Sequence, residues 1–102
     1  MAGFEIEFAT LAENDLIEIC EWYEQKKKGL SNYFINQFEN SLNTISNRPE
    51  SFGFVFSNKQ LRKFHLQKFP YKSYYFINKN TIQILTIIHT KRSNNFIKKR
   101  IK

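Results

Sequence analysis

The sequence contains a single cysteine, Cys20, which excludes an internal disulfide and a cysteine-based metal site. We expect Cys20 to be a small core side chain. No apolar run approaches the roughly 18–20 residues needed to cross a bilayer, and the N-terminus lacks the basic and apolar regions of a secretory signal. We therefore expect a cytoplasmic protein with no membrane partner.

Internal repeats, linkers and low-complexity segments are also missing from the sequence. The 102 residues, 41% hydrophobic and 17% aromatic, predict a globular chain with one modest core. The whole of residues 1–102 is therefore predicted to be a single domain, and we expect one functional site.

Acidic residues are scarce outside the N-terminal quarter of the chain. Seven of the nine lie in residues 1–25, which contain no Lys or Arg, so all 16 basic residues lie beyond that segment. The stretch Leu61–Arg92 has no acidic residue. This distribution favours RNA, DNA or an acidic peptide as partner over a neutral small molecule. A solvated basic surface without such a partner is the plainer alternative.

The first half of the chain predicts a strand and two helices. Alternation in residues 4–8 (FEIEF) indicates a short strand. A helix should begin at Thr10, whose hydroxyl forms a capping box with Glu13, and should end near Gly29 in a left-handed cap. Its buried stripe is predicted to be Leu11 or Ala12 with Leu16, Ile19, Cys20 and Tyr23, leaving Asp15 and the glutamates on flanking or outer positions.

The second helix should run from Leu30 or Ser31 to about Ser46, where Arg48 and Pro49 end it. Its apolar stripe comprises Phe34, Phe38, Leu42 and Ile45. Two helices with one apolar side each form an αα-hairpin that needs a sheet to pack on. Residues 50–60 are predicted to be a loop, with a short strand at 54–56 as the alternative.

Residues 61–92 predict adjacent strands, followed by a short basic helix from Asn94 to Ile101. A two-residue turn at Lys79–Asn80 sets the pairing register of the two strands it joins, and the alternation of side chains along each strand then assigns every residue to one face of the sheet. The face toward the helices is predicted to hold Phe64, Leu66, Tyr71, Tyr75, Ile77, Ile82, Ile84 and Ile88. The outward face is predicted to hold Lys63, His65, Gln67, Lys72, Tyr74, Phe76, Gln83, Leu85, Ile87 and His89, with Arg92 at its end.

Four segments in this order carry a resemblance to a known superfamily. They are A-x-x-D-L-x-E-I-x-x-W-Y at residues 12–23, a Phe-rich second helix ending near Pro49, L-R-K-F with F-P-Y-x-x-Y-Y within residues 61–75, and I-L-x-I-x-H-x-x-R at residues 84–92. Together they resemble toxins of the RelE/ParE superfamily from type II toxin–antitoxin pairs, and the ParE branch more closely. The resemblance covers nearly the whole chain.

The resemblance implies an α+β fold in which an N-terminal strand and an αα-hairpin pack with a four- to five-stranded, mostly antiparallel sheet. It also implies growth arrest, relieved by a cognate antitoxin through an acidic or amphipathic segment. ParE-like toxins poison DNA gyrase, whereas RelE-like toxins cleave mRNA on the ribosome. A non-toxic interaction or autoregulatory partner is a further alternative.

Metal-free RNA cleavage needs a base, cations for the transition state, and an acid for the leaving oxygen. The RelE pattern carries over to Lys63, His65, Lys72 and Arg92, and the ParE-like pattern has a histidine at His89. His65, His89 and Arg92 are thus the catalytic candidates if the protein is an RNase. Lys63, Lys72, Tyr74 and Arg92 are the candidates for binding the target or nucleic acid.

The pattern departs from RelE at the C-terminal tyrosine, since Phe96 has no hydroxyl and is off register. Neither a cofactor nor a metal is expected, because two histidines on separate strand positions with no nearby acid do not form a metal site.

Overall fold

A computed structural model describes residues 4–56, 60–92 and 94–100. The elements follow in the order β1 (Glu5–Phe8), α1 (Thr10–Lys26), α2 (Leu30–Asn47), a 3₁₀ turn (Pro49–Ser51), β2 (Phe54–Phe56), β3 (Leu61–His65), β4 (Tyr71–Asn78), β5 (Thr81–His89) and α3 (Asn94–Arg100).

The five strands form one mixed sheet in the order β1-β5-β4-β3-β2. β1 runs parallel to β5, and the other neighbours are antiparallel. The predicted α+β architecture is confirmed, including the two-residue turn at Lys79–Asn80, where Lys79 has a φ of 56°. The loop prediction for residues 50–60 is wrong at β2, where the alternative of a short strand is confirmed; β2 pairs with Leu61 and Arg62 at the start of β3. Residues 57–59 of the predicted loop lie outside the described residues.

The start of α1 differs from the predicted capping box. Ala9 is the N-cap, and its side chain makes no capping hydrogen bond. Thr10 is already the first helical residue, so its hydroxyl is one position too late to cap, and Glu13 cannot form the reciprocal bond. The predicted apolar stripe is confirmed, but Asp15 is also buried within it, contrary to the prediction for the acidic residues.

The turn between the two helices is held by Glu24, near the end of α1. Its carboxylate accepts hydrogen bonds from the Gly29 N–H at 3.0 Å, the Ser31 N–H at 3.2 Å and the Ser31 hydroxyl at 2.7 Å. Gly29 has the left-handed conformation expected from the sequence, with a φ of 88°, and is the N-cap of α2. A side chain of α1 therefore supplies the capping oxygens that α2 lacks in its own sequence.

A β-bulge in β5 alters the face that several residues occupy. Tyr74 pairs with Thr86 but Tyr75 pairs with Ile84, so Leu85 is an extra residue without a partner on β4. An extra residue shifts the alternation of everything after it. Ile87 and His89 consequently lie on the helix side of the sheet and Ile88 on the opposite side, the reverse of the prediction for all three.

Hydrophobic residues pack on both faces of the sheet. The main core, between the sheet and the αα-hairpin, contains Phe34, Phe38, Ile45, Tyr75, Ile82, Ile84 and Ile87. A smaller core on the opposite face contains Leu61, Tyr74, Ile88 and Ile97, the last of which belongs to α3. The predicted outward face is therefore partly covered by α3, and Tyr74, predicted to be exposed there, is 0% exposed.

One further residue departs from the predicted outward face. β3 ends at His65, so the alternation does not extend to Gln67. Gln67 instead lines a groove of about 470 Å³ beside α2, together with Asn40, Arg48 and Phe64.

Candidate functional site

Four of the predicted site residues form one basic cluster on the sheet face opposite the αα-hairpin: Lys63, His65, Lys72 and Arg92. Lys63 and His65 lie two residues apart on β3, so they share a face. Lys72 on β4 lies directly opposite His65, and Lys63 lies opposite Tyr74. Arg92 follows β5 in a turn in which its N–H donates to the His89 carbonyl at 3.0 Å. We call these four residues the basic cluster.

Lys72 is the buried member of the basic cluster. Its side chain is only 5% exposed, and its ammonium donates a hydrogen bond to the backbone carbonyl of Arg92 at 3.1 Å. The same ammonium lies 5.5 Å from the centre of the Tyr74 ring. Lys72 thus joins β4 to the segment after β5, and its buried charge is stabilised by the carbonyl and the ring.

His65 is the exposed, titratable member of the basic cluster. Partial burial of the ring lowers the pKa of His65 below 6.5, and the neighbouring charges of Lys63 and Lys72 lower it further. The imidazole is therefore neutral at pH 7. In this state it can accept a proton, while the adjacent lysines supply positive charge.

Arg92 presents an exposed guanidinium that lies 4.7 Å from the centre of the Phe96 ring on α3. At this distance the cation is attracted to the ring face, and a guanidinium held against a ring can still use its N–H groups as donors. Such a guanidinium can bind a phosphate or a carboxylate through two parallel hydrogen bonds.

His89 and Tyr74 are separated from the basic cluster. His89 pairs with Tyr71 on the helix side of the sheet, with 5.2 Å between the ring centres, and its Nδ1 accepts a hydrogen bond from the Lys91 N–H at 3.1 Å. Tyr74 faces the correct side but lies beneath α3. The fold therefore does not bring His65 and His89 together.

The structure adds residues that the sequence patterns did not identify. Asp15 on α1 accepts hydrogen bonds from Thr86 and Ile87 on β5 and from Arg100 on α3. Asp15 falls at helical spacing between Ala12 and Ile19, which was the available signal for its burial. Nothing in the local sequence indicates that Arg100 is its partner.

Within residues 4–56, 60–92 and 94–100, no group of three or more His, Cys, Asp or Glu side chains is arranged so that it could hold a metal ion. Within the same ranges, the helices are all too short or too polar to cross a membrane.

Residues 6–94 match the family described as the ParE toxin of the type II toxin–antitoxin system parDE. No curated protein sequence is similar enough to count as a match.

Solved toxin structures share the fold. A chromosomal ParDE toxin–antitoxin system from P. aeruginosa matches with a TM-score of 0.75 at 16% identity, over 86% of this chain and 97% of that one. The isolated E. coli RelE toxin matches with a TM-score of 0.61 at 17% identity, over 97% and 99%. An archaeal RelE–RelB complex from Pyrococcus horikoshii OT3 matches with a TM-score of 0.56 at 13% identity, over 89% and 99%.

Proposed function

The chain belongs to the ParE toxin family of type II toxin–antitoxin systems, and from this membership we propose that it arrests growth by acting on DNA gyrase. The observation that carries the proposal is the family match over residues 6–94. The RelE/ParE fold is shared by both branches of the superfamily, so the fold by itself favours neither target.

The basic cluster suits a target that contains DNA. Gyrase works on a bound duplex, and the exposed Arg92 and the half-buried Lys63 place positive charge on one face, which favours approach to the phosphate backbone. Lys63, His65 and Arg92 lie on the opposite side of the sheet from the acidic helix α1, so that the cationic face can approach DNA without the α1 carboxylates between them.

The test is a supercoiling assay with purified gyrase and toxin. We expect the toxin to inhibit supercoiling and to produce gyrase cleavage complexes, and we expect Arg92→Ala to require about tenfold more protein, comparable to the loss of one charge-assisted contact. Lys28→Ala is the matched control, because it removes one exposed positive charge from the turn between the helices. A wild-type toxin that leaves supercoiling unchanged would remove gyrase as the target.

We propose an antitoxin as the second partner. The ParDE structure of P. aeruginosa is that of a toxin–antitoxin system, and the P. horikoshii structure is that of a RelE–RelB complex. The chemistry of the basic cluster fits a partly disordered segment, acidic and amphipathic, that folds on contact. Co-purification with the product of the adjacent gene should weaken with salt and with Arg92→Glu, and an affinity insensitive to both would exclude this docking surface.

Ribosome-dependent mRNA cleavage is the alternative, favoured by one observation. His65 is neutral at pH 7 and stands between two lysines, an arrangement that suits a general base beside cationic groups. A proton donor for the leaving oxygen is not evident in the basic cluster, since the Tyr74 hydroxyl is buried and Phe96 has none. Primer extension on translated mRNA after induction decides between the two: uncut message rejects the RNase, and cuts that disappear in His65→Asn support it.

A further inference from the structure

The carboxylate of Asp15 connects three elements of the fold. Its Oδ2 accepts hydrogen bonds from the Ile87 N–H, at 3.0 Å, and from the Thr86 hydroxyl of β5. Its Oδ1 accepts a hydrogen bond from Nη2 of Arg100 on α3 at 2.9 Å. Asp15 is 7% exposed, so these partners replace the water that the charge gives up on burial.

The docking of α3 depends on this carboxylate. α3 has seven residues, and an isolated helix of that length is not stable in water. Its described anchors are the buried side chain of Ile97 in the smaller core, the partly buried Phe96 packed against that core, and the ion pair between Arg100 and Asp15. Losing one member of a sheltered pair leaves the other charge uncompensated, so the pair fixes where the end of α3 lies.

α3 in turn sets the position of the exposed arginine in the basic cluster. Phe96 lies close to two guanidinium groups, with its ring centre 4.7 Å from the guanidinium of Arg92 and 5.7 Å from that of Arg100. The backbone of Arg92 is held separately by Lys72. The direction of the Arg92 side chain therefore follows the position of Phe96, and through Arg100 it follows Asp15.

We propose that Asp15, on the far side of the sheet from the basic cluster, is a positioning residue that orients Arg92 through Arg100 and Phe96. The inference rests on the proposed function only where it says that Arg92 binds gyrase. The orientation itself can be measured without gyrase or an antitoxin.

The first experiment observes the Arg92 side chain by NMR. Its Nε–H signal should be displaced by the ring current of Phe96, and this displacement should largely disappear in Asp15→Asn and Arg100→Gln. Glu18→Gln, the same loss of charge at an exposed position of α1, should leave the signal in place. Arg100→Gln keeps the hydrogen bonds that β5 donates to Asp15, so it tests the inference even if Asp15→Asn does not fold. A signal that stays in place in Arg100→Gln would overturn the proposal.

The second experiment is a double-mutant cycle on inhibition of purified gyrase. We expect Asp15→Asn to raise the half-inhibitory concentration about fivefold in the wild type and to add nothing in an Arg92→Ala background. A fivefold loss in both backgrounds would show a structural effect that does not pass through Arg92, and would overturn the proposal. If the wild type does not inhibit gyrase, the proposed target fails, while the NMR result still decides whether Asp15 positions Arg92.

Discussion

Lys72 lies directly opposite His65 on the neighbouring antiparallel strand, so a buried ammonium and an exposed imidazole share one face of the sheet. Partial burial is the larger cause of the lowered pKa of His65, and Lys63 and Lys72 add to it. The two lysines differ in accessibility, since Lys72 is buried and Lys63 is half-buried. Lys63 is therefore the better position at which to change the charge beside His65.

Replacing Lys63 by Gln should raise the pKa of His65 toward 6.5, while burial and Lys72 keep it below that value. Because the folded pKa is below the unfolded one, His65 contributes stability that is complete above pH 6.5 and is lost as the pH falls through the folded pKa. An NMR titration of the imidazole ring measures the change. Lys28→Gln is the control, and a pKa of His65 that is the same in both variants would contradict the prediction.

The bulge at Leu85 predicts different effects for two adjacent isoleucines. Ile87→Ala and Ile88→Ala should each destabilise the fold by about 2–4 kcal/mol in urea denaturation, because both side chains are buried. Only Ile88 packs in the smaller core with Ile97. Amide exchange in α3 should therefore accelerate more in Ile88→Ala than in Ile87→Ala, and the opposite order would argue against the observed register.

The two described glycines provide a matched pair. Gly29 has a φ of 88° in open space, so Ala at this position should cost about 1–2 kcal/mol from backbone conformation alone. Gly53 has no left-handed φ and no neighbour in the way of a Cβ, so Gly53→Ala should be neutral or slightly stabilising. Urea denaturation of both variants tests this. An equal loss in the free energy of unfolding would show that the left-handed φ of Gly29 does not contribute to stability.

From the hydrogen bonds that Glu24 accepts, we expect a stability difference between wild type and a Glu24 variant that depends on pH. Hydrogen bonds from the Ser31 hydroxyl, and then from the Gly29 and Ser31 N–H groups, lower the pKa of Glu24 below 4.5. Its charge therefore contributes stability above pH 4.5 that is lost as the pH falls through the folded pKa. Glu24→Gln should lower Tm at pH 7, and the difference from wild type should vanish in acid. Glu21→Gln, an exposed acid on the same helix, should show no such convergence.

The order and faces of most elements could be predicted from residue spacing. Phe34, Phe38 and Ile45 recur at helical spacing, and Tyr71, Tyr75 and Ile77 alternate at strand spacing, so their burial follows from periodicity. The bulge left no such signal. Residues 84–88 read I-L-T-I-I and offer apolar side chains in either phase, so parity could not reveal where the alternation changes.

The candidate site was predictable in part for a related reason. Lys63, His65 and Lys72 lie on β3 and β4, where the alternation is not interrupted by the extra residue of β5, and they occupy the predicted face. The helix at residues 94–100 was also predicted, but not the face on which it packs, so the burial of Tyr74 was missed. The role of Asp15 depends on Arg100, 85 residues later in the chain, and no local pattern records a contact over that separation.

Asp15 also lies against the edge of the sheet beyond the point where β1 ends. β1 pairs with β5 only as far as Ile84, so the last residues of β5 have β4 on one side and no described strand on the other. An unpaired strand edge of this kind is a template for strands of other molecules and for aggregation. Here the Ile87 N–H donates a hydrogen bond to the Asp15 carboxylate, and Arg100 forms an ion pair with the same carboxylate. The carboxylate that binds Arg100 thereby also occupies a backbone donor on the edge to which another strand would pair.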